Sequence, residues 1–133
     1  MHRIKIGDIE LIAVTDGAAP PVSPSWPFPE VPDIDWHSHR YALDSDGLHT
    51  SNFGCFVIRD KEETILVDTG MGSHPPERFG QAPALLPSSL LAAGLKPTDV
   101  TKVVFTHLHF DHVGWAFSKD QISPFFPNAR YVA

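Results

Sequence analysis

Three histidines and one aspartate lie within six residues of this chain, directly after an apolar run at residues 103–105. They are His107, His109, Asp111 and His112. The apolar run is typical of a strand that is covered on both faces. Because residues two apart at the end of a strand point to the same side, we expect the first two imidazoles to converge on one metal ion.

The same alternation predicts the direction of the neighbouring side chains. Leu108 and Phe110 should point away from the imidazoles and pack into the core. Asp111 and His112 follow as the chain turns, so they can address a second metal position close to the first. Imidazole and carboxylate donors suit a borderline metal, with zinc first and iron or manganese as alternatives.

Composition restricts the class of protein. The 133 residues suffice for one ordinary domain, and 42% hydrophobic with 20% charged residues is globular composition. The formal net charge of −6 argues against nucleic-acid or membrane-surface binding. No stretch approaches the length of a membrane span, and residues 1–12 lack the apolar core of a signal peptide. We therefore expect a cytoplasmic protein that binds neither nucleic acid nor a membrane.

Cys55 is the single cysteine, so it cannot form a disulfide within this chain. It lies in the apolar run at residues 53–58, and no base neighbours it in the sequence. Free cysteines in such runs are usually buried. We interpret Cys55 as a core thiol and not as a nucleophile.

With the run at residues 103–105, the sequence predicts five strands before the histidines, one helix, and one strand after them. Ile4, Ile6, Ile9, Leu11 and Ala13 indicate two short strands around a turn at Gly7 and Asp8, the second ending at residues 15–17. Further strands are expected at residues 53–59, 64–67 and 129–133. The helix is expected over residues 83–94, with an apolar side formed by Leu85, Leu86, Leu90 and Leu91.

A proline- and aromatic-rich loop is predicted over residues 18–50, where six prolines exclude a helix or a central strand. Its interleaved aromatic residues favour an ordered loop that forms a cleft wall or contacts a partner subunit. They hint at an apolar substrate. His37 and His39 repeat the spacing of the histidine motif, but they lack the closed ligand set that metals require.

Residues 65–70 form a second motif, in which a strand ends in Asp68, Thr69 and Gly70. This motif and the pattern H-x-H-x-D-H resemble the metallo-β-lactamase superfamily. The spacing from the predicted helix to Thr106, the segment 126–132 and the segment 15–17 resemble its branch of lactonases and organophosphate hydrolases. The resemblance implies an α+β fold, the four-layered αββα sandwich. Residues 1–133 would be its N-terminal half, a mostly antiparallel or mixed sheet with one or two helices.

The resemblance also implies roles for individual residues. His107 and His109 would bind one divalent ion, and Asp111 and His112 a second. Asp68 would hold a metal-binding loop or a ligand histidine by hydrogen bonds, although an ordinary turn carboxylate is an alternative. The implied chemistry is attack by a metal-activated hydroxide on a small-molecule substrate, which would be an ester, lactone, amide or phosphoester. Asp111 would act as a catalytic proton relay. The substrate-binding residues stay unknown.

The same resemblance predicts that residues 1–133 are incomplete. The family's site needs a later histidine, a bridging aspartate and a further histidine, and residues 121–133 contain neither residue type. Half of the sandwich would also leave one apolar sheet face bare, to be covered by the missing C-terminal half or by a second copy. Three functions stay open: a dinuclear hydrolase, a mononuclear iron redox enzyme of the same fold, and an inactive metal-binding or assembly fragment.

Overall fold

The computed structural model describes residues 2–77, 83–118, 120 and 122–133. The chain divides into two compact units, Met1–Ala18 with Asn52–Ala133, and Ala19–Ser51. Every helix in the described ranges falls short of the length and apolarity that a bilayer span requires.

The first unit is built on a mixed sheet whose strands follow one another in chain order. Neighbours pair antiparallel from the first strand to the fourth and parallel from the fourth to the sixth, which confirms the expected mixed, mostly antiparallel sheet. The strands are β1 (Arg3–Ile6), β2 (Ile9–Ala18), β3 (Asn52–Arg59), β4 (Thr64–Val67), β5 (Lys102–Val104) and β6 (Arg130–Val132).

The β1–β2 hairpin forms as expected, with Gly7 at a φ of 62° in the turn. The predicted end of β2 at residues 15–17 is wrong, because the strand runs on to Ala18. An irregularity in the register after Thr15 lets Ala18 pair with Asn52 of β3. This bulge gives the end of β2 a different direction, and Asp16 lies within it.

The predicted helix over residues 83–94 is too long, since α1 covers only Leu86–Ala92. Ala84 has a φ of 53°, which is left-handed backbone, so the helix cannot begin earlier. Leu86 and Leu90 are buried, as one helical turn requires, but Leu91 is 65% exposed. The four leucines therefore do not share one apolar side, because adjacent helix residues are about 100° apart.

One face of the sheet packs against α1 and forms the core. Its fully buried members lie in consecutive strands at alternating positions, and α1 and the segment before β6 cover them. Cys55 belongs to this core with 1% exposure, which confirms its interpretation as a core thiol. The largest fully buried side chains of the core include Ile12, Val57, Leu66, Leu86, Leu90, Val100, Val103 and Phe126.

The opposite face of the sheet is apolar, and the described residues of the first unit leave it uncovered. The register aligns Ala13, Phe56, Val67, Val104 and Val132 in one row across five strands. Phe56 is 47% exposed and Val132 38% exposed. We call this row and the flanking Leu11, Ile58 and Ile65 the open sheet face. It is the bare face that half of a sandwich is expected to show.

The second unit contains most of the predicted loop and orders it without α-helices. Val22 and His49 pair as an isolated bridge near its two ends, and Asp33–Ala42 forms a 3-10 helical segment. The ring of Phe28 lies 5.6 Å from those of Trp36 and His49. The loop is therefore ordered by its own aromatic contacts, whereas its roles as cleft wall or partner surface stay predictions.

Candidate metal centre

The segment with the histidine motif leaves the sheet earlier than expected. β5 ends at Val104, and the short helix α2 covers Phe110–Val113, so the first two histidines lie in the irregular connection between them. The expectation that Leu108 packs into the core is wrong, because its side chain is 65% exposed. Phe110 is only half-buried. Strand alternation fails here because the extended backbone on which it depends has already ended.

The structure nevertheless brings the four motif residues together in one cluster. The ring centroid of His107 lies 4.6 Å from that of His109 and 3.9 Å from that of His112. Asp111 Oδ2 lies 3.6 Å from His112 Nε2. We call these four residues the histidine cluster. Its members are exposed or half-buried, so solvent and small molecules reach them.

The histidine cluster is a group of neighbours and not a closed coordination sphere. Within residues 2–77, 83–118, 120 and 122–133, no three His, Cys, Asp or Glu side chains are arranged as a metal cage. The donors still fit a divalent ion chemically, since three imidazoles and a carboxylate are ligands that zinc prefers. By contrast, the ring nitrogens of His37 and His39 contact the Ile34 carbonyl and the Tyr41 hydroxyl.

Asp68 links the earlier motif to this cluster. Its carboxylate accepts hydrogen bonds from the backbone N–H and the hydroxyl of Thr106, both at 2.8 Å, and from His112 Nδ1 at 2.8 Å. Burial opposes its ionisation, but these hydrogen bonds outweigh burial and hold the pKa of Asp68 below its ordinary value. An ionised Asp68 requires the proton on His112 Nδ1, which leaves Nε2 free as a metal donor.

Asp68 also adopts an unusual backbone conformation, with a φ of 60°. Left-handed backbone is uncommon outside glycine, although aspartate tolerates it better than most residues. The conformation turns the chain sharply at the end of β4 while the backbone N–H of Asp68 donates to the Val104 carbonyl of β5 at 2.9 Å. Local strain of this kind is concentrated at functional sites.

Backbone hydrogen bonds fasten the loop after Asp68 to the end of α2. The N–H and the hydroxyl of Thr69 both donate to the His112 carbonyl, at 2.7 and 3.0 Å. The Gly114 N–H donates to the Gly70 carbonyl at 2.8 Å. A β-carbon at Gly72 would overlap the backbone of Gly114, and one at Gly114 would overlap the backbone of Met71 and Gly72. Both positions therefore require glycine. The two glycines after Asp68 indicate such a close approach in the sequence, but Gly114 as its partner was not foreseen.

Asp16 is the other buried carboxylate near this contact, and its role was not predicted. It is fully buried and accepts hydrogen bonds from the backbone N–H groups of Gly72 and Leu86 and from the indole N–H of Trp115. Burial raises the pKa of Asp16 above its ordinary value, while these donors act in the opposite direction. The only sequence signal was an aspartate before a glycine at the end of an apolar strand.

A cleft of about 300 Å³ lies beside the histidine cluster. α2 contributes to both, since Phe110 and Val113 line the cleft while Asp111 and His112 belong to the cluster. The other lining residues include Met71, His74, Pro76 and Phe117. The cleft therefore offers both apolar and polar groups next to the donors, among them the exposed imidazole of His74. No single sequence motif marks this lining, because it comes from separate segments.

Comparisons with known proteins place this geometry in context. A sequence model described as the metallo-beta-lactamase superfamily matches residues 55–118, which include Asp68 and the histidine cluster. An N-acyl homoserine lactonase of Bacillus cereus is 32% identical over an alignment of 106 residues, and the match covers 67% of this chain and 42% of that protein.

Solved structures extend the similarity to almost the whole chain. The dizinc quorum-quenching lactonase AidC, in complex with a homoserine product, superposes with a TM-score of 0.80 at 30% identity. The hydrolase AbOPH of the β-lactamase superfamily gives 0.77, also at 30% identity. Each match covers 98% of this chain and 43% of the other. This chain thus spans less than half the length of the relatives that it matches.

Proposed function

Because this chain belongs to the metallo-β-lactamase superfamily, we propose that the protein is a metal-dependent hydrolase that opens lactones. The observation that carries the proposal is the histidine cluster, in which a buried carboxylate orients one imidazole beside two others. Its lineage is that of hydrolases with this fold, represented by the lactonases and hydrolases that it matches.

We assign His107 and His109 to one divalent ion and Asp111 and His112 to a second, with zinc as the metal. The dizinc site of AidC supports the number and the element. Catalytic zinc usually has three protein ligands, so each ion requires at least one donor beyond these pairs. When bound, the two ions would lower the pKa of a water molecule and so supply a nucleophile near neutral pH.

The described residues would orient the site and handle protons. Asp68 keeps the proton of His112 on Nδ1 and the lone pair on Nε2. Asp111 is half-buried with a partly exposed carboxylate, and its Oδ2 lies near His112. In this position it would pass a proton to the alkoxide that leaves when the lactone ring opens. No serine or cysteine nucleophile is required, consistent with the burial of Cys55.

The cleft beside the cluster supports a proposal for the substrate class. Met71, Phe110, Val113 and Phe117 offer apolar contacts of the kind that an acyl chain would fill. The AidC structure contains an N-acyl homoserine product, and the relative from Bacillus cereus is an N-acyl homoserine lactonase. We therefore infer a lactone substrate that carries an apolar acyl substituent.

The open sheet face is the proposed contact for the rest of the fold. Its apolar row across five strands is too continuous to be left in water on a stable protein. The matched structures are more than twice as long as this chain, which favours a further layer of the same polypeptide over a second copy.

The experiment that tests the proposal is lactone hydrolysis by the full-length protein before and after metal removal. Chelation should abolish hydrolysis of an N-acyl homoserine lactone, and added zinc should restore it. His109→Ala should reduce turnover by about 100-fold or more, because metal activation supplies several kcal/mol. His39→Ala is the matched control, with the same spacing outside the cluster. Equal turnover in both variants, or no lactone hydrolysis with zinc bound, would overturn the proposal.

A further inference from the structure

A buried carboxylate joins three separate segments of the chain behind the histidine cluster. Asp16 Oδ2 accepts the Gly72 N–H at 2.8 Å, and Oδ1 accepts the Leu86 N–H at 2.7 Å and Trp115 Nε1 at 2.8 Å. Asp16 is 0% exposed, and Trp115 is 7% exposed. These three donors are uncharged N–H groups, so among the described residues Asp16 is a hydrogen-bonded carboxylate and not part of an ion pair.

Each of these donors belongs to a segment that frames the site. Gly72 ends the loop that begins at Asp68, and Leu86 is the first residue of α1. Trp115 follows His112 by three residues, and its backbone N–H donates to the Thr69 carbonyl at 3.2 Å. Asp16 therefore connects the end of β2 to the loop that follows Asp68 and to Trp115, just after the histidine motif.

The packing around Asp16 leaves no room for adjustment. A β-carbon on Gly70 would overlap the Asp16 side chain, so the loop backbone lies directly on the carboxylate. Isolated buried charges are strongly disfavoured unless hydrogen bonds compensate for lost hydration. Here the compensation requires all three segments to be in place together. A displaced loop or a displaced α2 would leave carboxylate oxygens unpaired.

We propose that Asp16 is a positioning residue that sets the distance between the Asp68 loop and the histidine cluster, and thereby the geometry of the metal centre. It touches neither the substrate nor a ligand and acts through Gly72 and Trp115. The inference rests on the proposed metal centre. It makes the metal centre depend on a carboxylate at the end of β2, which lies far in sequence from both motifs.

Asp16→Asn is the decisive variant, since it preserves volume but replaces one acceptor oxygen with an NH₂ group that faces N–H donors. Zinc affinity of the full-length protein should fall about 10- to 100-fold, the usual effect of losing a residue behind the ligands. The visible spectrum of the cobalt-substituted protein should change, because it reports ligand geometry. Asp99→Asn is the matched control, since Asp99 accepts a backbone N–H from Lys96 away from the site.

Trp115→Phe provides a second, milder variant that removes one donor and leaves Gly72 and Leu86 bonded. A folded variant of either kind with weaker zinc binding and an altered cobalt spectrum supports the inference. Wild-type affinity and spectrum in folded variants would overturn it, as would failure of both variants to fold, which would assign Asp16 to stability alone. Absence of zinc binding by the unmodified protein would instead overturn the proposed function.

Discussion

Asp68 Oδ2 accepts a hydrogen bond from His112 Nδ1 at 2.8 Å, across 44 residues of sequence. The carboxylate is 5% exposed, and Thr106 satisfies its remaining acceptor positions. This arrangement selects the tautomer of His112 that keeps the proton on Nδ1, and Nε2 lies 3.6 Å from Asp111 Oδ2. The side chains of Asp68 and Thr69 in the strand-Asp-Thr-Gly motif therefore both contact His112 of the histidine motif.

Asp68→Asn should weaken zinc binding about 10- to 100-fold, the effect expected for a residue that orients a ligand. The asparagine amide can turn an N–H towards His112 Nδ1, which moves the imidazole proton to Nε2 and blocks the donor. Isothermal titration with zinc measures the change. Asp60→Asn is the control, since Asp60 accepts backbone N–H groups in the β3–β4 turn. Equal affinities in the two variants would contradict the tautomer argument.

Gly114→Ala should destabilise the fold by about 3 kcal/mol, because the new β-carbon would overlap the Met71 carbonyl and the Gly72 nitrogen. Gly7→Ala is the matched control. Gly7 has a φ of 62° and open space around it, so alanine there meets only the backbone penalty of about 1–2 kcal/mol. Urea unfolding measures both. A smaller loss at Gly114 than at Gly7 would contradict the close contact.

Stability should fall in alkaline solution because of Cys55. Burial raises the pKa of this thiol to about 12, whereas an unfolded thiol ionises near 8.5. Between these values the unfolded state has lost a proton that the native state retains. The free energy of unfolding should therefore decrease by about 1.4 kcal/mol per pH unit from this group. Cys55→Ala should remove that contribution, and an identical alkaline slope in the variant would refute it.

Phe56→Lys tests the open sheet face in the full-length protein. If another layer covers this face, the lysine ammonium is buried without a partner, and the protein should lose about 2–3 kcal/mol. Leu91→Lys on α1 is the control, because Leu91 is 65% exposed and a surface change there should stay within about 0.5 kcal/mol. A similarly small loss at Phe56 would show that the face stays in water.

Local patterns in the sequence were enough to predict the sheet. Alternating and continuous apolar runs predicted all six strands, and the apolar run at residues 53–58 predicted that Cys55 is buried. Periodicity failed where a contact between distant segments decides the backbone. The helix begins at Leu86, where Asp16 accepts its N–H, and not at Pro83. Leu108 is exposed because β5 ends at Val104, before the chain reaches Leu108.

The four motif residues of the site could be predicted from the sequence, but the tertiary contacts that hold them in place could not. The spacing of four residues in one motif indicates a shared metal site, and the structure places them side by side. The connection through Gly114 and the anchoring by Asp16 depend on tertiary packing between segments up to 99 residues apart. Neither contact has a local pattern. The lining of the cleft is equally non-local.

The most direct test of the metal assignment is anomalous diffraction at the zinc edge from crystals of the full-length protein grown with zinc. We expect two peaks, one about 2.0–2.1 Å from nitrogens of both His107 and His109 and another bonded to Asp111 and His112. Anomalous peaks confined to other residues, or no peak at the histidine cluster, would contradict the assignment.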